Sequence, residues 1–364
     1  MILSFHHVAP DGAIALAAAN VPYTNLQWNR SYSAPGTFTA QLACALPVEW
    51  PGRYLVTLDG CDETGIVEKV EVSEEGAGGT SPVVSGRFAE SLMSRYRIGR
   101  AGGAVRGADW RQAATAAMLE WVMGDAPALK AGQGCEEPTG SSYAIAGEAG
   151  DDAATLLYEA LNAHGAYPLL TYDRDADDQA IEVRIVEGLD RTRGQSERPF
   201  ALFSLGMGTA SSLAYSGDWS CACSVVEAFA KPSAEGAGVI GAEVAVEGFD
   251  AETQWEQRAV EDVGSLIDAE NEAPSAGEVA EAGRVRSYDH MPALAVDCAV
   301  VPAGYRTRWD LGDMVEAELS GAGIVARARV EAVRETYKDG GVAVEATVGA
   351  KSISRARRAL MGRR

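Results

Sequence analysis

The sequence predicts an α+β fold that is mainly β, sheet-rich at both ends and helix-bearing in the middle. Apolar and polar residues alternate with period 2 over 36–43 and again across 315–348, the mark of strands with one buried face. Two segments between these ends, 109–124 and 152–165, carry capping residues and helical spacing. Gly is abundant (40 residues) and aromatic residues make up only 7%, which favours small-residue strands and loops over Leu-rich helices.

The first hundred residues read as strands. Phe38, Ala40 and Leu42 alternate with Thr37, Thr39 and Gln41, and 53–58 and 65–72 are expected to pair with this strand. Pro35-Gly36 and Pro51-Gly52 mark the turns. After Val83–Gly86, the spacing of Phe88, Leu92 and Met93 predicts about two helical turns. The Gly/Ala-rich stretch 99–107 reads as a boundary.

Asp109 with Gln112 forms a capping-box pattern ahead of Trp110, Ala113, Ala117 and Trp121, and Gly124 stands where that helix would stop. Asp152 caps a second helix carrying Leu156, Leu157, Ala160 and Leu161, which ends at Gly165. His164 is then expected as a cation at the helix C-terminus. The segments 167–172 and 180–186 predict a hairpin around an acidic turn, and 188–199 is a polar connection. Further on, 221–230 and 238–248 are strand-like, and Ser275 opens a helix through Val279, Ala282 and Val285. The C-terminal segment shows three alternating runs, at 315–319, 324–332 and 342–348. Turns at 320–323 and 338–341 join them into an antiparallel meander that needs a second sheet or closure for stability. No internal repeat is visible.

The 364 residues imply more than one domain, and 47% apolar with 23% charged residues is a globular composition. The net charge of −21 disfavours general nucleic-acid and anionic-membrane binding. The segment 351–364 is the exception, with six basic residues and no acid. No 18-residue uncharged apolar run and no secretory leader pattern occur, so no membrane anchor and synthesis in the host cytoplasm are expected. Cys44, Cys61, Cys135, Cys221, Cys223 and Cys298 lack CxxC spacing and read as free thiols before a disulfide or metal framework.

Few motifs carry chemistry. Asp173, Asp175 and Asp177 hold the first, third and fifth positions of a calcium loop. Asp178 replaces the turn glycine, Glu182 arrives too early and the flanks read as strands, so a solvated turn is the preferred reading. Gly206-Met-Gly-Thr-Ala-Ser211 is a defective GxGxxG without a βαβ context. Four histidines (His6, His7, His164, His290) offer no HExxH, and no GxSxG elbow is present. The pairs Glu136-Glu137 and Asp151-Asp152 are expected by chance among 52 acids. The seven Trp residues are scattered and fit core or interface anchoring. No catalytic residue, cofactor or metal is therefore assigned. Arg355, Arg357, Arg358, Arg363 and Arg364 form the one candidate interaction site. They suit an acidic protein surface, with nucleic acid as the lesser alternative, and are expected to be exposed in the subunit or docked on such a surface.

Several stretches taken in order resemble the tail-hub (baseplate hub, tail-tip) proteins of long-tailed, siphovirus-like phages and prophages of Gram-positive, especially actinobacterial, hosts. They are Leu26-Gln-Trp-Asn-Arg-Ser-Tyr32 with Pro35-Gly-Thr-Phe38; Gly65-Ile-Val-Glu-Lys-Val70 with Gly86-Arg87 and 91–95; Tyr305-Arg-Thr-Arg-Trp-Asp-Leu-Gly-Asp-Met-Val315; and Val330–Gly340. Trp255-Glu-Gln-Arg258 is a looser counterpart. The cysteines within 220–226 depart from the pattern and 124–150 matches nothing. The resemblance implies a structural homotrimer with two tube-like antiparallel β-barrel domains per subunit and an α/β portion inserted between and around them. The division expected is 1–98 for the first barrel and 99–205, completed by 237–290, for the α/β part. Residues 206–236 with 291–350 form the second barrel, and 351–364 is a basic tail. Implied partners are the distal tail protein, the tail tube or tape-measure protein and a spike or fibre, with DNA passing without specific binding. A cell-wall hydrolase and a cell-wall or carbohydrate-binding module are the alternatives.

Overall fold

The computed structural model describes residues 1–75, 79–99, 103–121, 127–147, 149–173, 180–220, 222–231, 238–246, 248–250, 252–264 and 274–349. The N-terminal part holds β1 (Leu3–Val8), β2 (Ile14–Val21), β3 (Tyr23–Ser31), β4 (Thr37–Leu42), β5 (Tyr54–Leu58), β6 (Thr64–Ile66), β7 (Lys69–Glu75) and β8 (Gly79–Arg87). β2-β1-β5-β6 form one sheet, while β3-β4-β8-β7 belong to a larger one. Alternating side chains from both, among them Leu3, Phe5, Trp28, Phe38 and Val56, fill a common core.

Two pairings differ from expectation. β5 pairs with β1 rather than β4, and 65–72 is two strands, β6 on β5 and β7 on β8. The chain changes sheet between them where the backbones touch: a Cβ on Gly86 would lie 1.8 Å from the Ile66 carbonyl oxygen, so only glycine allows the crossing. The apolar run at 88–93 forms a 3₁₀ helix, Ala89–Arg95.

The middle holds β9 (Gly103–Gly107), α1 (Trp110–Glu120), β10 (Leu129–Ala131), β11 (Tyr143–Gly147), α2 (Ala153–Asn162), β12 (Ala166–Tyr172) and β13 (Ile181–Glu187). The Asp109 carboxylate accepts from the Arg111 and Gln112 N–H groups, and Asp152 accepts from Thr155 N–H, which satisfies donors a helix start leaves open. Gln112 reaches back to Ala108 N–H, one residue before the cap. β12 and β13 are the expected hairpin, with Tyr172 opposite Ile181. The stretch read as a boundary contains β9, which pairs with β11. Its residues are small and only Val105 is a deeply buried large side chain, so no periodicity marks it. Gly124 lies outside the described residues.

The remainder holds β14 (Leu202–Ser204), β15 (Ala210–Asp218), β16 (Val225–Ala230), β17 (Ile240–Ala245), β18 (Arg258–Asp262), α3 (Ala276–Ser287), β19 (Ala293–Val300), β20 (Met314–Leu319), β21 (Ile324–Lys338) and β22 (Gly341–Val348). Ser275 and Glu278 cap α3 reciprocally, and α3 packs Val279 and Ala282 on the β17-β16-β18 sheet. The C-terminal meander is present. Asp339 (φ 52°) and Gly340 (φ 76°) make its second turn, both in the left-handed region a tight hairpin requires.

β21 unites the two ends of the chain. Its first six residues pair with β20; beyond them it pairs with β22 on one edge and β3 on the other. One sheet thus runs β15-β19-β22-β21-β3-β4-β8-β7, with β20 and β14 attached through β21. The fold is the mainly β α+β architecture expected. Its ladders are antiparallel except β10–β13, β14–β20 and β16–β18.

Candidate assembly site

A buried charge network sits where the N- and C-terminal strands meet. Alternation along β3 turns Leu26, Trp28 and Arg30 inward. A register shift in β21 between Val330 and Ala332 changes which residues face the core, so Val333, Glu335 and Tyr337 are buried while Ala332 is only half-buried. Simple alternation continued from Ile324 predicts the opposite, and this bulge is why Glu335 is not legible as an interior residue.

Arg30 pairs with Glu63 and Asp310 and donates to Tyr305 Oη at 2.8 Å. Arg306 donates to Glu63 Oε2 at 3.1 Å and Glu335 Oε1 at 2.7 Å. Tyr305 and Tyr337 donate to the two Glu335 oxygens, and Trp28 Nε1 donates to Glu63 at 3.2 Å. Arg30, Glu63 and Glu335 are all at most 4% exposed. Burial alone would raise the Glu63 carboxyl, but the Arg30 and Arg306 guanidiniums outweigh it and hold the pKa at about 2. Two guanidiniums and three carboxylates thus face one another in a single hydrogen-bonded joint. Such a joint specifies how the sheets meet more than it adds net stability.

Next to it, Glu90 on the 3₁₀ helix accepts from Leu170 N–H of β12 at 2.8 Å. Burial raises its carboxyl to about 8, so at neutral pH it is protonated.

The exterior offers edges. β2 pairs only with β1 among the described residues, and Ala15, Leu16 and Ala17 are consecutively exposed, Leu16 by 60%. Consecutive exposure means both faces of an apolar edge strand meet solvent, the situation that proteins cover by pairing or assembly. β15 is the far edge of the long sheet and is likewise largely exposed. The turn before it, which contains the defective GxGxxG, presents Leu205 and Met207. Trp255 is 95% exposed and Val260 64% beside the β16–β18 sheet.

The residues singled out from sequence are distributed as follows. Asp173 is exposed directly after β12, while Asp175 and Asp177 lie outside the described residues. So do Arg355, Arg357, Arg358, Arg363 and Arg364. Among the described residues no group of three His, Cys, Asp or Glu is placed to hold a metal ion, and no helix is long and apolar enough to cross a membrane. Asp152 is a cap that also pairs with Arg97 at 3.0 Å. His164 follows α2, where it stacks on Trp110 and contacts Arg284 of α3 at 3.0 Å. Among the described residues Cys44, Cys61, Cys135, Cys223 and Cys298 form no disulfide, and Cys221 lies outside them. Trp28, Trp121 and Trp309 are core anchors.

Sequence reasoning also missed one chemical juxtaposition. Cys223 Sγ lies 3.7 Å from His290 Nδ1, and His290 Nε2 lies 2.9 Å from Glu261 Oε1. Nucleophile, base and orienting acid are in line, as acyl-transfer enzymes arrange them. Cys223 is only 2% exposed, and the contacts tie 223, 261 and 290 together.

No family model matches the sequence, and no curated protein matches it. Solved structures do share the fold. A 43 kDa tail protein of prophage MuSo2 from Shewanella oneidensis superposes with a TM-score of 0.58 at 18% identity, covering 96% of this chain and 99% of that one. A tail protein from Neisseria meningitidis gives 0.58 at 15% identity, with 96% of each chain covered. Prophage tail protein gp18 from Listeria monocytogenes gives 0.59 at 11% identity, covering 100% of this chain and 99% of that one. The chain therefore has the fold of phage tail proteins over essentially its whole length.

Proposed function

We propose that this chain is a structural hub subunit of a phage or prophage tail tip. It assembles as a homotrimeric ring between the tail tube and a distal spike or fibre. The observation that carries the proposal is the end-to-end fold match with three tail proteins, each sharing at least 96% of both chains. In this reading residues 1–98, and 206–236 with 291–350, supply the two tube-lining units of each subunit, except that β16 pairs with β17 and β18 and goes with the decorating part. Residues 99–205 with 237–290 decorate the ring, and the Gram-positive host follows the sequence resemblance. The exposed apolar edge of β2 is what a heterologous ring contact would cover. An acidic chain, net −21, suits a channel that DNA slides through without adhering. The contacts implied are a distal tail protein, a tube or tape-measure protein and the fibre.

Light scattering over a concentration series, with electron-microscopic class averages, tests this. A three-subunit ring is expected as concentration rises or when tail proteins template it. A stable two-fold dimer would overturn the ring, and release of muropeptides from purified cell walls would overturn the structural role.

A further inference from the structure

A groove of about 310 Å³ runs between β11, α2 and α3. Its floor is five consecutive residues, 142–146. Successive strand residues point to opposite faces, so a wall made of an unbroken run is the edge of β11, not a face. Among the described residues β11 pairs only with β9, and this edge is open. Leu156, Glu159 and Ala160 of α2 form one side, and Glu281, Ala282 and Val285 of α3 the other. A strand edge facing a helix across a cleft lined by both apolar and charged side chains is a geometry in which an extended peptide adds as one more strand.

We propose that the groove is occupied by the chain's own basic C-terminal segment, residues 351–364. Three observations select this occupant. The first is position: Gly349 N–H bonds the Arg329 carbonyl, the Arg329 guanidinium lies against Gly165, and the adjoining His164 contacts Tyr143 at 3.3 Å and Glu281 at 3.3 Å at the groove's end. The segment thus starts one arginine side chain and two residues from the groove, and 14 extended residues reach roughly 45 Å.

The second is charge. The lining sets Glu159, Glu278 and Glu281 against one cation, Arg106; burial raises the half-buried Glu159 carboxyl and the nearby Arg286 offsets this only in part, so a further cation brought against it gains. The segment carries Arg355, Arg357 and Arg358. The third is composition. Ile353, Leu360 and Met361 supply apolar side chains for the Leu156, Ala282 and Val285 lining. Docking would cover an edge that otherwise invites pairing with another chain.

Hydrogen exchange on the full-length protein, kept dilute enough to be monomeric, tests the assignment at the 143–146 amides that β9 leaves free. They are expected to exchange at least tenfold more slowly in the wild type than in a full-length variant carrying Arg355→Glu, Arg357→Glu and Arg358→Glu. Glu159→Arg alone should release them too, and combining it with the three reversals should restore protection. Amides of β12 and β22 report that each variant is folded. Fast exchange in the wild type overturns the proposal, as does slow exchange that ignores the reversals, which would signal another occupant. Protection that appears only as concentration rises would assign the groove to a neighbour's segment and overturn the intramolecular contact.

Discussion

Glu90 makes stability depend on pH with a sign opposite to that of an ordinary paired carboxylate. In the native protein it is 3% exposed, one oxygen accepts from Leu170 N–H and the other has no partner, and burial raises its pKa from 4.5 to about 8. The unfolded chain releases this proton near the lower value and the folded chain near the higher one. Between them the native state binds more protons, so stability falls as pH rises through this window and levels off above it. At about 1.4 kcal/mol per pH unit, the loss by pH 9 is on the order of 4 to 5 kcal/mol. Glu90→Gln keeps the acceptor for Leu170 and cannot ionise. Its buried NH₂ group costs about 1–3 kcal/mol if unsatisfied, but that cost is independent of pH. Urea unfolding of both proteins from pH 4.5 to 9 therefore separates the two effects. The variant is expected to gain on the wild type by several kcal/mol across the series. A stability difference that stays constant with pH would refute the buried, protonated carboxyl.

Three further outcomes are expected. Glu335→Ala removes the shared acceptor of Arg306, Tyr305 and Tyr337 and should cost about 3–5 kcal/mol in urea unfolding. Arg334→Ala, whose pair with Glu345 spans 3.5 Å and is 59% exposed on both sides, should cost under about 1 kcal/mol; equal losses would contradict the buried network. Leu16→Lys should leave the melting temperature nearly unchanged and abolish concentration-dependent assembly in light scattering, whereas unaltered assembly would remove β2 from the contact. In native protein Cys223 should resist thiol reagents through burial, and Cys298, whose thiol burial raises to about 12, should react slowly. All six cysteines should titrate after unfolding, and rapid native labelling of Cys223 would reopen the Cys223–His290–Glu261 arrangement as a reactive centre.

The elements easiest to read were those whose local chemistry and burial agree. Asp109, Asp152 and Ser275 cap helices because their oxygens satisfy the open donors of the first turn, a contact made within three residues. The hairpin at 167–186 and the turn at Asp339-Gly340 are equally local, set by alternation and by tolerance of positive φ. β9, β15, β18 and β19 were not marked individually. β15 is mostly exposed and β9 is built of small residues, so neither shows a clean apolar face.

What the sequence by itself determined is the class of the fold, the helix starts and the hairpins, since each depends on neighbours along the chain. Tertiary structure alone decided which strands are partners and which charges are interior. Arg30 and Glu335 are 305 residues apart in sequence, yet they join one network because β3 pairs with β21. The bulge at 330–332 turns Glu335 inward, and the close approach at Gly86 sends β6 and β7 to different sheets. A charged side chain is stable inside only when its counter-charges arrive from other elements. No pattern local to either residue records that meeting.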